Sequence, residues 1–100
     1  MSDKELYSGM IRLHVLYHAS KGPIFGLWII EELGRHGYKL SPGTLYPILH
    51  ALERKGYLRS MEKREGRQVR RLYRATPSGR KALAGAKIKV RELVGELFAH

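Results

Sequence analysis

The sequence predicts a mainly α-helical fold that carries one small β-hairpin and closes on a long helix. Three observations predict it: four stretches with apolar residues spaced by three and four, a change of period between residues 57 and 75, and Gly or Pro at the junctions. The chain has 100 residues, no cysteine, and 19 Lys and Arg against 9 Asp and Glu, a net charge of +10. That length fits one compact domain. The lack of cysteine excludes disulfide frameworks, thiolate metal sites and cysteine nucleophiles. Residues 1–50 hold 5 basic and 4 acidic side chains and residues 51–100 hold 14 and 5, so the excess is +1 against +9. Such asymmetry points to a polyanion or an acidic membrane face. No apolar run approaches the ~20 residues of a membrane span. Met1-Ser2-Asp3-Lys4-Glu5 also lacks the basic-then-apolar start of a signal peptide, so a soluble, cytoplasmic protein is expected.

Leu6, Met10, Leu13 and Tyr17 mark a first helix over residues 4–19. A second apolar line, Tyr7, Ile11 and Val15, runs on nearly the opposite side, so one of the two needs cover from outside this helix's own core. Gly22-Pro23 ends the segment. A second helix over 24–36 places Gly26, Ile29, Ile30 and Leu33 on one side and stops at Gly37. Tyr38-Lys39-Leu40 has room for a stub of strand. Leu45, Ile48, Leu49 and Leu52 define a third helix, which ends at Gly56. Pro47 confines its start to Ser41–Thr44, with Ser41 or Thr44 as N-cap. Residues 57–64 and 68–75 flank Glu65-Gly66-Arg67 and read as a hairpin. Thr76-Pro77-Ser78-Gly79 then supplies a capping hydroxyl and an early proline. Leu83, Ala86, Val90, Leu93 and Leu97 follow in the rhythm of a helix seam about 30 Å long.

This order is that of a winged helix-turn-helix with a long C-terminal helix: residues 1–77 form the winged unit and 78–100 the terminal helix, in one compact domain. In such a unit the second helix of the pair enters a DNA major groove. With its apolar side turned inward, the third helix shows Gly43, Tyr46, Pro47, His50 and Arg54 outward, with Ser41 and Thr44 at its start. Tyr46 and His50 can donate and accept hydrogen bonds, whereas Glu53 and Lys55 read as ordinary solvated charges. From Arg54 to Arg74 there are nine basic residues against Glu62 and Glu65, a local +7 that phosphates would neutralise. Arg64, Arg67 and Gln68 lie at or beside the expected wing tip; the sidedness of Arg70 and Arg71 stays open. Double-stranded DNA is the expected partner.

Gly43-Thr44-Leu45-Tyr46-Pro47, continuing through Leu49, Leu52-Glu53 and Gly56-Tyr57-Leu58, resembles the recognition-helix signature of PadR-type transcriptional regulators. Gly22-Pro23-Ile24-Phe25-Gly26 is similar to that family's Gly-Pro-x-aromatic-Gly turn, and Tyr73-Arg74-Ala75-Thr76-Pro77-Ser78-Gly79 to its strand-to-helix junction. The resemblance covers about residues 9–83. It implies a homodimeric repressor of operator DNA, joined through the C-terminal helix with help from the first, in the family's short form. Ile11, Val15, Leu83, Ala86, Val90, Leu93 and Leu97 are the interface residues expected on this basis. Gly85 and Gly95 each cost about 1 kcal/mol in a helix interior, which close helix approach would justify. A two-fold dimer sets its recognition helices about 34–36 Å apart, one DNA turn, and so reads a palindromic operator. Family members that sense drugs or aromatic acids often carry aromatics on the last helix; here it has only Phe98. Trp28 stands where the family usually has a polar residue, and its cover is either the partner subunit, a small-molecule effector, or the chain's own first residues.

Two other functions fit the same basic face: a non-specific or architectural nucleic-acid-binding module, and a winged-helix protein-interaction module. Catalysis is not expected, because Ser20, Ser41, Ser60 and Ser78 lack a nucleophile context and the carboxylates are scattered. No cofactor is implied. His14 and His18 have the spacing of a zinc-chelating pair, but Val15 stands where a zincin has Glu and no third ligand is apparent. They read as a half-solvated pair with no metal.

Overall fold

The computed structural model describes residues 3–99. The chain runs α1 (Asp3–Lys21), β1 (Ile24–Phe25), α2 (Gly26–Arg35), α3 (Pro42–Arg54), β2 (Leu58–Glu65), β3 (Gln68–Ala75) and α4 (Pro77–Leu97). The strands form one antiparallel sheet in the order β1-β3-β2. The mainly helical class with a small sheet is therefore as the apolar spacing and the change of period predict. The molecule is long for its size, 57 × 30 × 21 Å, because α4 runs on past the core.

Two helix ends are built alike. Gly37 after α2 and Gly56 after α3 have φ of +88° and +83°, the left-handed conformation that glycine takes without a Cβ penalty. Tyr38 N–H then donates to the Leu33 carbonyl and Tyr57 N–H to that of Leu52, both at 2.9 Å, closing the loops that glycine termini favour. The hairpin turn is Gly66-Arg67, and Glu65 pairs with Gln68 as the last rung of the ladder rather than joining the loop. Gly66 has φ +62° and Arg67 is not among the positive-φ residues, as in a type II′ turn. At α4 the Thr76 hydroxyl accepts from Gly79 N–H at 2.9 Å and donates to the Gly56 carbonyl at 2.5 Å, tying the start of α4 to the end of α3.

Three expectations need correction. Ile24 and Phe25 do not begin α2; they pair with Tyr73 and Leu72 as a third strand, which puts Ile24 in the core. The strand stub expected at Tyr38–Leu40 is absent among the described residues. The third correction concerns α1. Its Ile11–Val15 line is extended by Leu16 and Ala19 into one buried stripe. The bulkier Leu6, Met10 and Tyr17 face outward instead. Ile11 and Val15 are thus core residues, not the interface residues expected. The same holds for Leu83, which is buried where the start of α4 docks.

The core gathers this stripe with Ile24, Ile29 and Leu33, Leu45, Ile48, Leu49 and Leu52, Leu58, Tyr73 and Leu83. Each buried Val, Leu or Ile side chain contributes on the order of 1.5–3 kcal/mol. α3 is held on its whole inner side, so its outer side is fixed in direction.

Candidate nucleic-acid interface

Ser41 caps α3 in extended geometry (φ −87°, ψ 162°), and its carbonyl accepts from Thr44 and Leu45 N–H at 3.0 Å. Thr44 is half-buried, its hydroxyl 3.3 Å from that of Ser41. Pro42 occupies the first turn, where its missing N–H costs nothing. Pro47 sits inside the helix and cannot donate to the Gly43 carbonyl. Gly43, Pro47, His50 and Arg54, spaced by four, three and four, are all exposed in one row opposite the buried Leu45, Leu49 and Leu52. Tyr46 differs from its neighbours. It is half-buried against the core, its ring lies over Gly26 of α2, and its centroid is 6.4 Å from that of His50. Tyr46 therefore packs the two helices together as well as bordering the exposed row.

The wing continues this surface. Cross-strand partners share a face, so Leu58, Ser60, Glu62 and Arg64 lie with Ala75, Tyr73, Arg71 and Val69. The opposite face carries Arg59, Met61 and Lys63 with Arg74, Leu72 and Arg70. This settles Arg70 and Arg71. Arg71 donates to Ser60 Oγ at 3.1 Å and to Glu62 at 3.2 Å, while Arg70 stacks 5.0 Å above the Phe25 ring on the other face. Both are tied to the protein. Arg64, Arg67 and Gln68 are exposed at the tip, and among the described residues neither Arg64 nor Arg67 is ion-paired.

Glu53, read from sequence as a solvated charge, joins α3 to the wing. Its Oε2 accepts from Ser60 N–H at 3.1 Å and from Ser60 Oγ at 2.5 Å. The sequence held a signal: a carboxylate in the last helical turn opposes the helix dipole and needs a partner. Burial raises the pKa of the Tyr73 hydroxyl beneath this network, and no described residue bonds to that hydroxyl.

Of the expected interface residues on α4, Ala86 is half-buried, whereas Val90, Leu93 and Leu97 are 44%, 54% and 65% exposed. Ile88, Val94 and Phe98 are exposed beside them. Trp28 is 41% exposed and meets α1 edge-on at His18, 5.3 Å between ring centroids; Met1 and Ser2, which the expected cover by the chain's first residues includes, lie outside the described residues.

A helix-turn-helix pair with its second helix bared along one row, flanked by a cationic two-stranded wing, defines the winged-helix class of transcriptional regulator. The sequence comparisons narrow the class. The model of the transcriptional regulator PadR-like family matches residues 15–85, and the chain belongs to that family. It is a transcriptional regulator rather than an enzyme, and DNA binding is what this membership implies. A protein of Mycobacterium tuberculosis (strain ATCC 25618 / H37Rv) described as "Transcriptional regulator Rv3488" is 46% identical over 95 residues, covering 95% of this chain and 89% of that protein. The crystal structure of a PadR family transcriptional regulator from Eggerthella lenta DSM 2243 superposes with a TM-score of 0.82 at 31% identity, covering 95% of this chain and 87% of that one. A PadR-like regulator from Bacillus cereus strain ATCC 14579 superposes at 0.81 with 23% identity over 96% of this chain and 98% of its own, a likeness of fold alone.

Proposed function

We propose that the protein is a homodimeric repressor that binds a palindromic operator, α3 of each protomer lying in a major groove and each wing following the adjacent backbone. The observation that carries the reading is the bare row Gly43–Pro47–His50–Arg54 on a helix whose other side is wholly buried. Gly43 lets the helix start approach closely, His50 and the edge of Tyr46 reach base edges, and Ser41, Thr44 and Arg54 border the backbone. Arg64, Arg67 and Gln68 extend the contact past the helix. Repression in this reading is occlusion, since a bound dimer covers two successive turns.

Pairing is supported by what one protomer leaves uncovered. Large apolar side chains stand exposed on the outer face of α1 (Leu6, Met10, Tyr17) and along the far half of α4 (Val90, Leu93, Val94, Leu97), surface that a partner would cover. A Cβ at Gly85 or Gly95 would meet nothing within 4 Å, so the helix cost of those glycines brings no benefit inside the protomer. The interface in this reading uses Ala86, Val90, Leu93 and Leu97 with the outer line of α1. The exposed side of Trp28 is left for the partner subunit or a small-molecule effector.

Selection of bound sites from random duplex DNA tests the proposal. The expected result is a two-fold-symmetric sequence with half-site centres about one turn apart. Recovery of unrelated sequences, or of an unpaired half-site, would contradict it.

A further inference from the structure

A cleft between α1 and α3 opens beside the bare row of the third helix. Ser8 and Arg12 line it from α1, and Gly43, Thr44 and Pro47 from α3, over a floor of buried Ile11, Leu40 and Ile48. Its volume is about 450 Å³, many times the ~30 Å³ share of one water molecule. Ser8 and Arg12 stand one turn apart on the inner side of α1, away from the outer line of Leu6, Met10 and Tyr17. Arg12 is half-buried, and its Nη1 donates to the Ser8 carbonyl at 3.1 Å. A guanidinium carries five N–H donors in a planar fork. Among the described residues Arg12 meets no carboxylate and no second acceptor. Glu5, the acidic residue of the cleft, is exposed and lies two turns away, about 10 Å along the helix axis.

We propose that Arg12 contacts DNA: its guanidinium holds a backbone phosphate of the operator at the mouth of this cleft, on the flank of α3 opposite the wing. The contact rests on α3 lying in the major groove, as proposed above, and adds α1 to the DNA-facing surface. At ~100° per residue, Thr44 and Ile48 fall on one flank of the row Gly43–Pro47–His50–Arg54, and Tyr46 and Glu53 on the other. The wing is joined to the second flank by the hydrogen bonds between Glu53 and Ser60. The cleft lies along the first. A helix ~10–12 Å across fills a major groove ~12 Å wide, so a phosphate backbone runs past each of its flanks. The wing supplies positive charge on one side, and Arg12 supplies it on the other. Its fork matches the paired oxygens of a phosphate. Gly43 gives independent support. A Cβ there would meet only the Ser41 hydroxyl oxygen, at 3.7 Å, so nothing in the protomer requires glycine in the first turn of α3. Close approach of a DNA backbone to the mouth of the cleft does. Every step of a duplex carries a phosphate, so Arg12 adds affinity without base preference.

The test is a salt series of DNA binding by the full chain, on a selected duplex and its scrambled counterpart, for the wild type, Arg12→Gln, Arg12→Met and Arg12→Lys. Arg12→Gln and Arg12→Met are expected to weaken both duplexes by the same factor. Each should flatten the slope of log K against log salt by about 0.9 per chain, the loss of one phosphate contact. Arg12→Lys keeps the charge and is expected to keep the slope. The two neutral variants retain an unbranched stem against Ile11, and an unaltered melting curve in either one separates a lost contact from a lost fold. Ethylation interference then locates the phosphate, as one position in each half-site whose modification hinders the wild type and not Arg12→Gln. A wild type that prefers the selected duplex, with slopes unchanged in Arg12→Gln and Arg12→Met, overturns the contact alone and leaves the cleft to a ligand other than DNA. A wild type without that preference overturns the placement of α3 in the groove, and the contact with it.

Discussion

At Gly79 a single hydrogen atom decides whether α4 can start where it does. A Cβ there would sit 2.9 Å from the Tyr57 carbonyl carbon and 3.1 Å from its Cα, with the carbonyl oxygen nearer still. Backbone cannot swing aside, so Gly79→Ala is expected to lower stability by about 1–3 kcal/mol in urea unfolding. At Gly26 the obstacle is the Tyr46 ring, whose Cζ would lie 2.7 Å from a Cβ. A ring can turn where a carbonyl cannot. Gly26→Ala is therefore expected to cost less stability and to disturb DNA contact instead. His50 is exposed in the bare row and lies outside the core, touching only the Tyr46 ring; His50→Ala is expected to leave the melting temperature nearly unchanged. It should weaken binding to a selected operator by about 1–3 kcal/mol and relax base preference, read by competition among variant duplexes. A result of equal affinity would mean that another side of α3 faces the groove. Acid should also destabilise the fold. Desolvation, with His36 and His18, depresses the pKa of His14, so the unfolded chain takes up that proton first and stability falls as pH drops through about 6.5. The hydrogen bond from His36 depresses the pKa of Glu32, so its contribution, present above the ordinary 4.5, is lost as pH falls further. A melting curve followed from pH 8 downward checks both, and His14→Gln should flatten its upper part.

Between elements, the angle of the wing to α3 rests on Glu53, which accepts two hydrogen bonds from Ser60 while Arg71 braces Ser60 and Glu62. Glu53→Ala should loosen the hairpin, increasing amide exchange in β2 and β3, and weaken operator and random DNA together. Arg67→Ala, at the tip, should instead flatten the dependence of log K on log salt by about one unit without changing base preference. The elements themselves were legible because their signals are local: apolar spacing for α3 and α4, Gly66 for the turn, Thr76 for the cap. The outward row of α3 follows from the same spacing. What escaped reading depends on distant partners. A two-residue strand at Ile24 exists only because β3 offers it an edge. Either apolar line of α1 could have faced inward, and only packing against the other elements shows that Ile11 and Val15 do. Glu32 and His36 joined His14 and His18 only when two helices packed.

On the whole molecule, the reading proposed above gives the cationic wing and the bare row of α3 to DNA and the apolar far half of α4 to a second protomer. If α4 is the seam of a dimer, Leu93→Asp should give a folded monomer by sedimentation, because Leu93 is exposed and takes no part in the protomer's core. That monomer should lose affinity for a two-half-site operator far more than for a single half-site. The most direct measurement is anisotropy of the full chain with a selected duplex and its scrambled counterpart across a salt series. A preference of ~10³-fold or more for the selected duplex, with affinity for both falling steeply as salt rises, is expected. Equal affinity for the two duplexes, or binding to neither, would contradict sequence-directed contact by α3 and its wing.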